Sequence, residues 1–209
     1  MGIQPVYGER RCFVIEADIS YLIFDTETTG LPKNWKAPVT DLNNWPRLVQ
    51  IAWLQCDNSG KILSSSNYIV KPRDFIIPEY AVKIHGISTE IAKNEGVALN
   101  TVLNDFSTAI SRSSVLIAHN MAFDEKVVGA EFLREKIESR LFSIPKICTM
   151  ERSTDHCRIP GSYGYKWPSL SELYFKLFDK YFEEAHDAVV DVKACDDCFF
   201  RLKKKGILK

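Results

Sequence analysis

Residues 21–30 read Tyr-Leu-Ile-Phe-Asp-Thr-Glu-Thr-Thr-Gly and combine an apolar run with two acids. Its first four residues are apolar, which predicts a short buried strand that ends at Asp25. Residues i and i+2 of an extended chain point to the same face, so Asp25 and Glu27 are predicted to lie side by side. Two carboxylates at the end of a buried strand are costly unless cations pair with them. The pair therefore marks a candidate metal site, although the spacing D-x-E is a weak signal when it stands alone.

A third acid, Asp124, follows the apolar stretch 115–118, which is predicted as a strand. It stands near the start of a helix predicted over 123–136. An acid at this place also stabilises a helix N-terminus, so capping is the alternative to metal binding. Asn120, just upstream, is either a substrate contact or only a turn former.

The last pair is His186 and Asp191, five residues apart where the final helix begins, a helix predicted over 187–204. This spacing lets Asp191 face the other acids from the first turns while His186 reaches towards them from the approach. A solvated helix start that is rich in acids is the alternative. Asp187 is predicted to face outward.

These side chains form one chemical set. Carboxylates gathered at one point repel each other unless a divalent cation neutralises them, and oxygen ligands suit hard ions such as Mg²⁺ or Mn²⁺. A histidine adds the one side chain whose ordinary pKa lies near neutrality. Together these groups are the equipment for two-metal hydrolysis of a phosphodiester.

The charge balance argues against a strong non-specific grip on duplex nucleic acid. Lys and Arg number 27, as do Asp and Glu, so the formal net charge is zero, whereas such binding usually needs a basic excess. An enzyme that holds only a chain end through bound metal remains compatible with this balance. The N-terminus lacks a signal-peptide pattern, and no apolar run approaches the roughly 20 residues that span a bilayer. We therefore expect a cytoplasmic protein without membrane contact.

In that compartment the six cysteines are expected to be reduced thiols. Cys195 and Cys198 form a C-x-x-C pattern inside a helical stretch, where positions three apart share one face. No second paired motif at zinc-ribbon spacing accompanies them. Buried apolar cysteine is the favoured interpretation, and a zinc site is the alternative.

The order of predicted elements is β-β-β-α-β-α-(β)-α-α, which indicates an α/β domain with a mixed sheet. Strands predicted over 48–56 and 61–70 enclose a turn of Asp-Asn-Ser-Gly, so the first three strands should form an antiparallel meander. We expect a single domain over 1–209, with 1–20 as a lead-in that has no strong periodicity.

The other predicted elements are helices that begin after the caps Ser88 and Ser169, a helix face over 102–110, a short strand over 146–149 and a loop over 160–168.

Residues 31–47 form a long loop insertion between the first two predicted strands. The loop contains Trp35 and Trp45, and linkers rarely carry tryptophan. Two interpretations remain open: the loop holds substrate near the active site, or it packs over the edge of the sheet.

Taken in order, the D-x-E pair, the segment from Asn120 to Asp124 and the H-x-x-x-x-D motif resemble the DEDDh branch of the DnaQ-like 3′–5′ exonucleases. The resemblance covers roughly residues 21–202 and includes all three family motifs. It implies a ribonuclease H-like fold with a mixed five-stranded sheet flanked by helices. It also implies that two Mg²⁺ or Mn²⁺ ions are held by four acids and that His186 is the general base. The implied ligands are Asp25, Glu27, Asp124 and Asp191.

The resemblance further implies a set of substrate contacts. Thr28 and Leu31 lie next to the D-x-E turn, and Leu31 resembles the apolar residue that packs on the terminal base in relatives. His85 belongs to a His-Gly-Ile segment like the one near the substrate groove of the family, with a structural histidine as the alternative. Asn120 completes the set, whereas Phe123 is expected in the core.

The activity implied by the resemblance is release of nucleoside 5′-monophosphates from the 3′ end of single-stranded DNA, as in the proofreading subunit type of bacterial replicases. A DNA polymerase subunit is then a candidate partner. A 3′–5′ exoribonuclease of the oligoribonuclease or ribonuclease T type is the alternative within the same chemistry. An inactive nucleic-acid-binding module on the same fold is a third interpretation, from another class.

Overall fold

The computed structural model describes residues 20–182 and 187–208 and contains a mixed five-stranded sheet. The strands of this sheet are Tyr21–Thr28 (β1), Leu48–Cys56 (β2), Ile62–Ile69 (β3), Val115–Ala118 (β4) and Lys146–Cys148 (β5). A separate hairpin is made by Pro160–Gly161 (β6) and Gly164–Tyr165 (β7). The helices of the described residues are Glu79–His85 (α1), Thr89–Glu95 (α2), Leu99–Ser111 (α3), Met121–Glu135 (α4), Thr149–Cys157 (α5), Leu170–Phe178 (α6) and Ala188–Lys204 (α7). Apart from Ser20, the predicted lead-in lies outside the described residues.

The sheet has the strand order β3-β2-β1-β4-β5. The first three strands pair antiparallel, and β4 and β5 run parallel to β1. The predicted mixed sheet and antiparallel meander are therefore confirmed. Asp57 sets the turn between β2 and β3, because its Oδ1 accepts hydrogen bonds from the backbone N–H of Ser59 at 2.8 Å and of Lys61 at 3.0 Å.

Both faces of β1 are buried, each against its own helices. Leu22 and Phe24 join a core with α3 and α4, whereas Tyr21 and Ile23 join a core with α6 and α7. Because side chains alternate along a strand, the positions that follow inherit these faces. Asp25 and Glu27 therefore share the face of α7, and the residue between them shares the face of α4.

The first strand is longer than predicted. Its ladder with β2 continues beyond the apolar run and pairs Asp25 with Ala52 and Glu27 with Gln50. The prediction that the strand ends at Asp25 is wrong, because backbone pairing with β2 does not require apolar side chains. Both acids are consequently held in a regular strand rather than in a loop.

The helix caps Ser88 and Ser169 are confirmed. The Ser88 side chain accepts a hydrogen bond from the backbone N–H of Ile91, and Ser169 forms a reciprocal capping box with Glu172 at the start of α6. Helices α1 and α5 and the β6–β7 hairpin are additions that the sequence patterns do not predict. Within the described parts of the chain, no helix is long and apolar enough to cross a bilayer.

The C-x-x-C pair lies inside α7. Cys195 and Cys198 are both buried in the core that α7 shares with β1. Burial, the largest cause, raises the pKa of both thiols above the ordinary range, so neither is activated. The buried-cysteine interpretation is confirmed.

Candidate active site

Three carboxylates meet where the second half of β1 faces the N-terminal end of α7. Asp25 and Glu27 come from β1, and Asp191 comes from the first turn of α7. One oxygen of each carboxylate can be chosen so that all three lie within 4.8 Å of one another. Asp187 fixes the start of this helix, because its side chain accepts a 2.8 Å hydrogen bond from the backbone N–H of Val189.

Asp124 approaches from the opposite face of the sheet, on the first turn of α4. Its Oδ1 accepts a 2.6 Å hydrogen bond from the hydroxyl of Thr26, and the side chain is buried. The cap position of α4 is Asn120, and that cap forms no side-chain hydrogen bond. Asp124 is therefore bonded across to β1, and it stands beside the three-carboxylate group.

The acids perturb one another strongly. Burial and the carboxylates of Asp124, Asp191 and Glu27 hold the pKa of Asp25 well above its ordinary value. Burial, followed by Asp191 and Asp124, raises the pKa of Glu27 to about 8. Burial raises the pKa of Asp124 to about 7, although the hydrogen bond from Thr26 acts in the opposite direction. Without a cation, the site therefore retains protons that free carboxylates would have lost.

This donor set fits a hard divalent cation. Within residues 20–182 and 187–208, Asp25, Glu27 and Asp191 are the only group of three or more potential ligands at metal-binding separations. All the donors are carboxylate oxygens, which suit Mg²⁺ or Mn²⁺ better than softer metals. Asp124 adds a fourth carboxylate next to the group, so the local negative charge exceeds what one divalent ion would balance.

A pocket of about 390 Å³ opens over these acids. Its lining combines the acids with a largely apolar wall. The wall residues are Leu31, Trp35, Phe123, Met150, Pro168, Ser169 and Leu170, with His119 and Asn120 at the end of β4. The volume is within the range of small-molecule sites. The pocket is thus large enough for a small molecule held next to the acids.

A family model described as "Exonuclease" matches residues 22–199. The chain belongs to the exonuclease family. DNA polymerase III subunit epsilon of Treponema pallidum is 32% identical over 189 residues, which cover 90% of this chain and 78% of that protein. The subunit of the same name from Rickettsia typhi is 37% identical over 113 residues, 53% of this chain and 43% of the relative. The chain therefore spans less than half the length of that relative.

Among solved structures, E. coli exonuclease I in complex with a dA16 oligonucleotide matches with a TM-score of 0.71 and 20% identity. The match covers 89% of this chain and 41% of the exonuclease I chain. At this identity the likeness concerns the fold. It confirms the predicted α/β, ribonuclease H-like architecture, and the family match confirms the resemblance to DnaQ-like exonucleases.

In this member of the exonuclease family, the loop 31–47 packs on α4 rather than over the edge of the sheet, and one of its tryptophans lines the pocket. Trp45 is buried against Ala130 of α4, and Arg134 of the same helix donates to the Trp45 carbonyl at 2.8 Å. Trp35 is half exposed, lines the pocket and places its ring 5.7 Å from that of Phe123. One tryptophan anchors the loop, and the other forms a wall of the pocket.

Two of the four predicted substrate contacts line the pocket, and the other two lie outside its lining. Leu31 and Asn120 line the pocket, Leu31 largely exposed and Asn120 in the left-handed backbone region with φ 74°. Thr28 is buried, and its hydroxyl donates a 2.7 Å hydrogen bond to the carbonyl of Gly30, which shapes the turn after β1. His85 lies outside the pocket lining and accepts a 3.1 Å hydrogen bond on Nδ1 from the N–H of Ile87.

His186 lies outside the described residues. Its neighbour in sequence, Asp187, is half-buried and contributes to raising the pKa of Glu27, after burial, Asp191 and Asp124. The prediction that Asp187 faces outward is wrong, because the residue caps α7 and bears on the acidic group. Asp187, the residue that follows His186 in sequence, therefore lies close enough to the acidic group to act on it.

The sequence patterns missed several pocket residues, of which His119 is the most informative. Its Nε2 lies 3.0 Å from the carbonyl of Pro168 and its Nδ1 lies 3.0 Å from the hydroxyl of Thr149. The carbonyl can only accept, so Nε2 carries the proton and Nδ1 accepts from Thr149. Burial lowers the pKa of His119 to about 4. With both nitrogens engaged, this histidine ties the segment after β7 to β4 and is not a base.

Phe123 also departs from expectation. It packs against the core on one side, as predicted, but it lines the pocket as well. Its position directly before Asp124 in the chain is a signal that could have indicated this second role.

Proposed function

We propose that this protein is a divalent-metal-dependent 3′–5′ exonuclease that releases nucleoside 5′-monophosphates from single-stranded DNA. The observation that carries the proposal is the approach of Asp25, Glu27 and Asp191 to within 4.8 Å of one another in the lining of a pocket. Asp124 stands next to them, bonded to β1. Membership in the exonuclease family supports the reaction type.

Asp25, Glu27, Asp124 and Asp191 are proposed to hold two Mg²⁺ or Mn²⁺ ions. When bound, the ions supply Lewis acidity at the attacking water and at the leaving 3′ oxygen. The residues that would hold the ions come from β1, α4 and α7. The raised pKa values of Glu27 and Asp124 mean that metal binding must also displace protons.

His186 is proposed as the general base that takes the proton from the attacking water. The H-x-x-x-x-D spacing to Asp191 supports this role, as does the position of Asp187 next to the acids. An imidazole with a pKa near neutrality suits proton transfer at physiological pH. His186→Ala is expected to lower kcat by about 10²–10⁴, the usual range for a general base. A kcat that is unchanged between about pH 6 and pH 9 would reject this role.

The substrate is proposed to enter as a single strand, with the terminal base against the apolar wall of the pocket. Leu31, Trp35 and Phe123 offer apolar surface, and Asn120 offers a polar group. Thr28 and His85, which lie outside the pocket lining, would support the shape of the turn after β1. The zero net charge favours capture of a strand end over a grip on duplex.

DNA is proposed as the substrate because relatives are named DNA polymerase III subunit epsilon and because the matched exonuclease I was crystallised with dA16. The same names support a DNA polymerase subunit as a partner. RNA remains the competing substrate, since the hydrolytic chemistry would be the same.

The test is incubation of 5′-labelled single-stranded DNA and RNA of matched sequence with the protein and Mg²⁺, Mn²⁺ or chelator. We expect a ladder that shortens from the 3′ end, faster on DNA, and abolished by chelator and by Asp25→Asn. Glu138→Gln serves as the matched control, because Glu138 is an exposed acid outside the pocket lining. Faster degradation of RNA would move the assignment to the exoribonuclease alternative. Absence of nucleotide release with either metal would favour the inactive binding module.

A further inference from the structure

Three exposed aromatic side chains occur within five residues of sequence, on the β6–β7 hairpin and the residues that follow it. Tyr163 is fully exposed at the turn, and Tyr165 and Trp167 keep 50% and 63% of their surface accessible. The proposed reaction uses none of these rings. Concentrated exposed apolar surface of this kind marks a site of interaction.

The hairpin that carries the rings is held firmly. A hydrogen bond of 2.9 Å from the N–H of Lys166 to the carbonyl of Ile159 extends the ladder beyond β7. The turn requires glycine at Gly164, which has φ 111°. A Cβ on Gly161 would come within 3.1 Å of the Gly164 carbonyl oxygen. Rings on such a support lose little conformational freedom when they bind a partner.

The alternation of side chains along this segment indicates the direction of Tyr165 and Trp167. Lys166 directs its Nζ to Glu172 of α6, at 2.6 Å from Oε1. Neighbours in an extended segment point to the opposite side. Tyr165 and Trp167, on either side of Lys166, are therefore turned away from α6.

The same segment runs directly into the pocket. Trp167 is followed by Pro168, Ser169 and Leu170, which line the wall over the acids. The Pro168 carbonyl accepts the hydrogen bond from His119, so the segment is fixed to the end of β4. The rings are thus joined in sequence to a segment that lines the pocket.

We propose that Tyr163, Tyr165 and Trp167 form a stacking platform for the bases on the 5′ side of the terminal nucleotide. The proposal rests on the proposed exonuclease function and adds the path of the strand outside the pocket. Single strands are held without sequence preference by aromatic faces combined with basic groups. Residues 161–167 contain three rings and no aliphatic apolar side chain. Lys166 is paired with Glu172, whereas Arg158, which precedes the hairpin in sequence, is a basic residue exposed to solvent. This composition fits a nucleic acid strand better than an apolar protein surface.

The first test compares two substrates. Oligothymidylate of about 12 nucleotides reaches beyond the pocket, whereas the p-nitrophenyl ester of thymidine 5′-monophosphate ends within it. The combined variant Tyr163→Ala, Tyr165→Ala, Trp167→Ala is expected to raise KM for the oligomer by about tenfold or more, with kcat retained. The rise in KM for the ester is expected to be at least about tenfold smaller than the rise for the oligomer.

A matched control is available on α6 and the residues that follow it. Phe175 and Tyr181 are also exposed and stack on each other with their centroids 4.6 Å apart, but they lie outside the pocket lining and face a separate cavity. Phe175→Ala, Tyr181→Ala removes exposed aromatic surface of the same kind and is expected to leave KM for the oligomer unchanged. An equal rise in KM in this control would overturn the proposal, as would an unchanged KM in the hairpin variant. Equal losses on oligomer and ester would also overturn it, because the effect would then come from the pocket.

The second test does not depend on turnover. The probe is an oligothymidylate that carries 5-iodouracil about two to five positions from its 3′ end. It is irradiated with the wild-type protein in Ca²⁺, and the cross-linked peptide is mapped. We expect cross-links within residues 161–167. Cross-links elsewhere would reject the platform, and the rings would then be assigned to the binding of a protein partner. Cross-links at the platform without hydrolysis in Mg²⁺ would instead reject the proposed function and retain the platform.

Discussion

Thr26 Oγ1 lies 2.6 Å from Oδ1 of Asp124, and this hydrogen bond joins β1 to α4 at the acidic site. Asp25 and Glu27 flank Thr26 in β1 and point to the face of α7. Thr26 points to the face of α4, from which Asp124 comes. Strand β1 therefore presents Asp25 and Glu27 on the α7 face and holds Asp124 on the α4 face through Thr26. The position of Asp124 thus depends on Thr26.

Thr26→Val is expected to weaken metal binding by about 10–100-fold, the usual cost of losing a partner that orients a metal ligand. Valine fills the same space but cannot donate, so Asp124 loses the hydrogen bond that opposes the rise of its pKa. The measurement is the Mg²⁺ concentration that gives half-maximal hydrolysis. Thr26→Ser keeps the hydroxyl and is expected to stay close to the wild type. Equal behaviour of the serine and valine variants would show that the hydroxyl does not matter.

Asp25→Asn is expected to separate catalysis from stability. Asp25 is the acid whose pKa is raised by burial and by all three neighbouring carboxylates, so the substitution relieves repulsion in the metal-free protein. Hydrolysis should fall to background, whereas Tm in chelator should rise by about 2–4 °C for each kcal/mol of repulsion relieved. Thermal melting and end-labelled assays measure the two effects. Glu138→Gln is the control for loss of an exposed acid, and a lower Tm for Asp25→Asn than for this control would contradict the argument.

The metal-free protein is expected to lose stability as pH rises. The pKa of Glu27 is about 8 in the folded protein against an ordinary 4.5, and that of Asp124 is about 7 against 3.8. The folded state therefore binds more protons than the unfolded state between these limits, and its stability declines as pH rises from about 4 to about 8. Melting in chelator across this range measures the decline. Saturating Mn²⁺ should flatten the curve, and a Tm in chelator that climbs with pH would refute the electrostatic account.

The sequence predicted the sheet well because each of its strands carries a local signal. β2 is an apolar run closed by the Asp57 turn, and its bounds agree with the prediction. Helix α5 had no comparable signal. Its buried positions are Thr149, Ser153 and Cys157, spaced by four as a helix requires, but they are small or polar and form no apolar stripe. Helix α1 has only seven residues and buries only Ala81, which is too little for a periodic pattern.

The acids of the site could be found from sequence, but their arrangement could not. Alternation along a strand places Asp25 beside Glu27 without any knowledge of tertiary structure. That Asp124 is held by Thr26 depends on which helix covers which face of β1, and that is decided by packing across the sheet. The choice between anchor and pocket wall for Trp35 and Trp45 depends likewise on where α4 lies.

The two tryptophans of the loop 31–47 should respond oppositely to truncation. Trp35→Ala removes half-exposed surface from the pocket wall and is expected to raise KM for oligonucleotides by about tenfold while Tm stays the same, with Trp35→Phe as the conservative control. Trp45→Ala empties a buried site and removes a 3.0 Å hydrogen bond to the carbonyl of Pro38, so it should destabilise the fold by about 3–5 kcal/mol. Steady-state kinetics and chemical denaturation measure the two effects. If Trp35→Ala lowered stability as much as Trp45→Ala while KM stayed constant, Trp35 would be an anchor, and the terminal base would need another wall.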